Sequence, residues 1–146
     1  MTDTKYMKRS DAIKKIKDVA EDISICMFCI QTEEIPFDTR PMGTRKVDDD
    51  GNIWFLSSDN FSEKIAHMHD DKVQLIYAKP SQTHFLSISG HAEVIKNSFR
   101  ADESGEGLAK ALLPEERKNP NLTFIRFTPE HANFWDTKSG KMLSLL

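Results

Sequence analysis

The stretch Phe37 to Ser58, FDTRPMGTRKVDDDGNIWFLSS, decides how this chain folds. Its first part, Phe37 to Val47, reads as an extended strand. Pro41 within it implies an edge, a bulge or a place where no N–H is needed, because proline has none to give to a ladder. Asp48-Asp49-Asp50-Gly51 follows, and Asp-Gly is a strong hairpin signal, since a tight primed turn needs positive φ. Asn52 to Ser58 returns as the partner strand, with Trp54-Phe55-Leu56 as its apolar centre. The acids of the turn lack the spaced ligands and later glutamate of an EF-hand loop, so they read as turn formers rather than a calcium site.

Working outward, the chain is mostly strand. Ahead of the hairpin, Ile25 to Gln31 is an apolar run. Before it, Ser10 is a good helix N-cap, and Ile13, Ile16, Val19, Ala20 and Ile23 recur at helical spacing. Met1 to Arg9 is polar and reads as a loose arm. After the hairpin, Asp59 to Asp71 reads as a short helix, capped by Asn60 or Ser62, with Ile65, Ala66 and Met68 facing inward. Strands are expected at Val73 to Ala78 and at Phe85 to Lys96, the second with a bulge at Gly90. Ser98 to Arg117 is polar and suggests one imperfect helix around Leu108 to Leu113. Leu122 to Phe127 alternates as a strand, and a final short pair, Ala132 to Asp136 and Lys141 to Leu145, turns at Ser139-Gly140. Six or seven strands with two or three helices imply one mainly β domain over residues 1–146, an antiparallel barrel or sandwich capped by helices. Without strand–helix alternation or a Gly-x-Gly-x-x-Gly run, a dinucleotide-binding Rossmann fold is unsupported.

A chain of 146 residues can bury a core without disulfides or a structural metal, and its net charge of −3 spreads lysines among acids, against duplex nucleic-acid binding. Met1 to Arg9 lacks the apolar core of a secretory signal, and no run approaches the ~20 apolar residues of a membrane span, so a cytoplasmic location is expected. Cys26 and Cys29 form a C-x-x-C spacing. In an apolar strand, residues three apart point to opposite faces, so these read as two buried thiols, not a redox or zinc pair. His67 and His69, followed by Asp70-Asp71, could be drawn as a metal cluster, but two helical residues two apart lie about 200° around the axis. His84, His91 and His131 offer no better grouping, and no metal site is assigned.

The chemistry concentrates between Arg40 and Lys64. A phosphate site needs cations, hydroxyl donors and preferably the N–H groups of a helix start. Arg40 and Arg45 lie on one hairpin strand, Ser57 and Ser58 end its partner, and Ser62 and Lys64 open the next helix. A folded hairpin can bring these groups together. Such Ser-rich strand ends followed by lysine are also common on surfaces, so the pattern alone leaves both readings open.

The order of motifs adds a resemblance. Arg40-Pro41-Met42-Gly43-Thr44, then Asp-Gly, then Ile53-Trp54-Phe55-Leu56-Ser57-Ser58, then Ser62-x-Lys64, resembles the pyridoxamine-phosphate-oxidase-like superfamily, and within it the general-stress-protein branch. Val73 to Tyr77, Ser87 to Val94, Phe134-Trp135-Asp136 and Ser139-Gly140-Lys141 continue the likeness over almost the whole chain. The resemblance implies a six-stranded antiparallel split β-barrel with peripheral helices, working as a homodimer with FMN between subunits. It implies that Arg40 and Lys64 clamp the phosphate, with Ser57 and Ser58 donating to it. Met42, Gly43 and Thr44 would run along the isoalloxazine, Arg45 would face the ring, and Trp135 would lie near the partner's cofactor; a plain interface or core tryptophan is the competing reading. Two departures matter. Glu63 stands where the true oxidase has a second phosphate-binding arginine, which implies that Glu63 turns outward. Ser98-Phe99-Arg100, among Asp102, Glu103 and Glu106, replaces an Arg- and Ser-rich substrate motif, which argues against oxidation of vitamin B6 phosphates. An FMN-binding protein of the stress-protein type is therefore expected, either a flavin-dependent oxidoreductase or a binding and sensing module without turnover. A split barrel that has lost its cofactor is the third reading, and no catalytic residue is singled out.

Overall fold

The computed structural model describes residues 7–57, 60–96 and 123–146. Helix α1 (Arg9–Ile23) precedes strands β1 (Ile25–Ile30), β2 (Asp38–Val47) and β3 (Ile53–Ser57). Helix α2 (Asn60–Ala66) then leads to β4 (Lys72–Lys79), β5 (His84–Lys96), β6 (Thr123–Asp136) and β7 (Lys141–Ser144). All pairings are antiparallel, in the order β3-β2-β1-β4-β5-β6-β7, and a β3–β6 pairing closes the first six strands into a barrel with β7 as an extra strand on β6. Closure removes the sheet edges that would otherwise invite aggregation. The expected six-stranded barrel with peripheral helices is thus the observed fold.

Alternation along the strands fills the barrel. Leu75 and Tyr77 of β4 and Leu86 and Ile88 of β5 are buried in one core with Phe28, Phe55, Ile125 and Phe127. Trp54 and Phe124 point the other way and form a small second cluster, their rings edge to face at 6.3 Å. The hairpin turn is built by Asp48. Its carboxylate accepts from the N–H groups of Asp50 and Asn52 and from Trp54 Nε1. Gly51 takes φ of 90°, as the Asp-Gly signal requires.

Helix α1 lies on this hairpin through buried Ala12, Ile16, Val19 and Ala20, while Ile13 and Ile23 are only half-buried. Its start differs from the expected cap: the helix begins at Arg9, with Lys8 in the cap position and no side-chain cap, so Ser10 lies inside the first turn. Helix α2 is likewise shorter than Asp59 to Asp71. It ends at Ala66, and Ser62 is buried within it rather than capping it. The bulge at Gly90 is present, as a register shift between Ser89 and Gly90 against β6. The two strands expected at Leu122 to Phe127 and Ala132 to Asp136 are parts of one strand, continuous from Thr123 to Asp136. Pro129 sits opposite Gly90 at the bulge, where the interrupted ladder makes a missing N–H tolerable. The helix expected around Leu108 to Leu113 lies outside the described residues.

Candidate functional site

The site begins in the core. Phe28 of β1 stacks edge to face on Phe55, 5.2 Å between centroids, and on Phe61 of α2 at 5.4 Å. Phe61 thereby anchors the short helix against one end of the barrel. The guanidinium carbon of Arg40 lies 4.9 Å over the outer side of the same ring, a cation–π contact that ties β2 to α2. Arg40, Asn60, Phe61 and Lys64 together line an open depression of ≈ 360 Å³. The fold thus brings to one place the two cations that the sequence places 24 residues apart (64 minus 40).

The other expected residues that the structure describes do not line this depression. Ser57 ends β3 and is buried, opposite Thr123 of β6. Ser58 lies outside the described residues. Met42 points into the core opposite Cys26, and Gly43 is exposed opposite Ile25. Thr44 is held twice, its N–H donating to Ser24 O at 2.7 Å and its hydroxyl lying 2.6 Å from Tyr77 OH. A flavin contact from the Thr44 backbone N–H would therefore have to displace an internal bond. Arg45 falls at the register shift between Thr44 and Lys46, half-buried. Trp135 stands on the β6–β7 ribbon opposite Met142, beyond the part of β6 that pairs with β3, and does not join the Arg40–Lys64 group within one chain. Glu63 is exposed, as its expected outward turn requires. With α2 only seven residues long, side-chain charge rather than a helix dipole must carry any anion binding here.

Sequence reading missed Asp38. Its Oδ2 lies 3.2 Å from Lys64 Nζ, so the lysine of the depression already has a carboxylate partner. The signal was available: Asp38 and Arg40 are two apart on one strand and share a face.

The shifted titrations lie elsewhere. Burial pushes the Cys26 thiol up to about 12, which leaves it protonated and unreactive at neutral pH. Desolvation also raises Tyr77 well above the ordinary tyrosine value. Both thiols are free and buried; Cys29 faces Thr39 with 3.4 Å from sulfur to hydroxyl, while Cys26 joins the core, the divergence expected of a strand. His67 and His69 lie beyond the end of α2, so strand-and-loop geometry, not helical phase, separates them. His91 Nδ1 lies 2.6 Å from Asp71 Oδ1 and its Nε2 contacts Glu130, and the Asp71 bond is the chief cause of its raised pKa.

The comparisons with known proteins agree with the fold. The model of a family described as "Pyridoxamine 5'-phosphate oxidase like" matches residues 11–146. The chain belongs to the pyridoxamine 5'-phosphate oxidase-like family. Among solved structures, the fold is similar to that of a Clostridium acetobutylicum protein related to general stress protein 26, at 17% identity, 94% and 95% coverage of the two chains and a TM-score of 0.66. A general stress FMN/FAD binding protein from Xanthomonas citri is 23% identical over 85% of this chain and 87% of its own, with a TM-score of 0.61. A pyridoxamine 5'-phosphate oxidase-related, FMN binding protein from Nostoc punctiforme is 8% identical, covering 94% and 88%, with a TM-score of 0.64. At these identities the likeness is one of fold. No curated protein matches the chain. No helix among the described residues is long and apolar enough to cross a membrane.

Proposed function

We propose that this oxidase-like family member is an FMN-binding protein of the general-stress type, holding the cofactor at the interface of a homodimer. The observation that carries the reading is the convergence of Arg40 and Lys64 on one open depression beside α2. Its donors suit a phosphate monoester: a planar guanidinium fork and a point-charge ammonium are the two side chains best matched to phosphate oxygens. Ser57, and Ser58 next to it, would add hydroxyl donors. Relatives described as binding FMN or FMN/FAD share the fold.

The dimer has its own support. Ile25, Met27 and Ile76 are 59%, 39% and 44% exposed on the outer face of β1 and β4. Met27 is register partner to both Ile76 and Pro41, and Ile25 to Gly43, so these side chains adjoin in one apolar strip. A second copy on that strip buries it and closes over Gly43. The isoalloxazine would then lie along Met42 to Thr44, near Arg45, with Trp135 of the partner subunit against it. When bound, the flavin supplies the redox chemistry; the protein anchors the phosphate, orients the ring and limits solvent access.

Purified protein should be a yellow dimer, releasing FMN on denaturation. A colourless protein that takes up no added FMN would overturn the reading. Anaerobic addition of reduced nicotinamide cofactor then separates an oxidoreductase, whose flavin bleaches, from a binding module, whose flavin does not.

A further inference from the structure

Lys64 faces the depression with a carboxylate already on it. Asp38 and Lys64 bridge β2 to α2 at 3.2 Å, with side chains 46% and 57% exposed, so water reaches the pair and it is weakly held. A phosphate drawn to Lys64 meets that carboxylate as a like charge. Two anions cannot share one ammonium without repulsion, and the phosphate, with more charge and the Arg40 fork beside it, makes the stronger hydrogen bonds. The far side of Asp38 gives it room to leave. There it lines an open cavity of ≈ 480 Å³, whose charged walls are Lys72, Glu33, Glu34 and Asp70.

The geometry points to Asp38 as an intramolecular competitor for the flavin phosphate, a conclusion that rests on the phosphate reading above. Its carboxylate holds Lys64 in the cofactor-free protein and is displaced when the phosphate binds. The affinity is thereby set below what Arg40 and Lys64 alone would give, and the flavin is held exchangeably. Local charge fits this: Arg40 and Lys64 are opposed by Asp38 and Glu63, and of the two carboxylates it is Asp38 that touches Lys64, while Glu63 is exposed.

The test uses the full chain stripped of flavin, titrated with FMN and with riboflavin, which lacks the phosphate. Wild type, Asp38→Asn, Asp38→Ser, Lys64→Met and the double variant Asp38→Asn/Lys64→Met are compared, with melting temperatures measured alongside. Neutralising Asp38 by either route should tighten FMN about three- to tenfold, a modest exposed-charge effect. Riboflavin affinity should not move, and without Lys64 the gain from Asp38→Asn should fall below about twofold. Unchanged or weaker FMN binding in both Asp38 variants overturns the competitor while leaving the phosphate site standing if Lys64→Met still weakens FMN. Equal tightening of riboflavin, or full tightening without Lys64, also overturns it. If wild type binds no FMN, the phosphate site and the competitor fall together.

Discussion

Between β2 and α2, Arg40 and Lys64 face an open depression with Asp38 as the carboxylate at hand; beyond the end of the helix, Asp71 and Glu130 grip His91 from both ring nitrogens. The first joins β2 to α2, the second ties β5 to β6 and to the turn before β4, and both are partly exposed. They differ in what remains for a ligand. The carboxylates of the second cluster lie on opposite sides of one imidazole, so they cannot converge on a single metal ion, and both N–H groups of the ring are committed. In the first cluster Arg40 and Lys64 line an open depression, and among the described residues Lys64 pairs with one exposed carboxylate. A charged cluster closed on itself is a joint; one that is open and held by a displaceable partner is a place to bind.

The scaffold beneath the joint offers the largest expected effect. The bulge at Gly90 aims His91 between its two carboxylates, and it leaves no room for a side chain. A Cβ at Gly90 would stand 2.1 Å from the carbonyl oxygen of Thr128 and 2.9 Å from Cζ of Phe127. The first obstacle is backbone in a paired strand and cannot rotate away. Gly90→Ala should therefore cost about 3 kcal/mol, the upper range for overpacking. For a chain of this size that lowers the melting temperature by roughly 6–12 °C. A variant melting within a degree of wild type would show that the β5–β6 crossing is looser than the register implies.

The open cluster should answer in ligand affinity rather than stability. Lys64 is 57% exposed and its ion pair with Asp38 contributes little to folding. Lys64→Ala should leave the melting temperature within about 2 °C and weaken FMN by about 1.5–3 kcal/mol, the scale of a charge-assisted hydrogen bond. Isothermal titration of the flavin-free protein checks both halves. Unchanged affinity would place the phosphate elsewhere and dissolve the contrast between the two clusters.

Much of this contrast was legible in the sequence where local chemistry dictates structure. Asp-Gly specified the hairpin, alternation specified the two faces of β5, and Gly90 announced its bulge. The convergence of Arg40 and Lys64 followed from a hairpin leading into a helix. What stayed hidden depends on partners distant in the chain. The continuity of β6 between Phe127 and Ala132 stayed hidden, since the tolerance of Pro129 there depends on the bulge opposite it on β5. His91 showed no pattern, because Asp71 and Glu130 reach it only through pairing on both of its flanks. Asp38 was within reach as the residue two before Arg40. It was overlooked because a phosphate search weighs cations and hydroxyls, and a carboxylate shows its effect only once Lys64 is seen across from it.

The closed cluster should announce itself through pH, with a smaller effect. The two carboxylates raise His91 above its ordinary value of 6.5, so the charged imidazole is favoured in the folded chain. A group whose folded pKa is raised stabilises fully below its unfolded value and loses that contribution as pH rises through the folded one. With side-chain exposures of 38% for His91, 61% for Asp71 and 46% for Glu130, solvent screens the cluster, and the contribution should stay below about 1 kcal/mol. Urea unfolding of wild type and His91→Gln should show the largest stability gap at pH 6 and a shrinking one into the alkaline range. Flavin affinity should be the same in both proteins, because no atom of this joint lines the Arg40–Lys64 depression. A gap independent of pH would mean that His91 holds the bulge by packing alone. A fall in flavin affinity would mean that the two clusters are coupled, and that the joint also serves the place of binding.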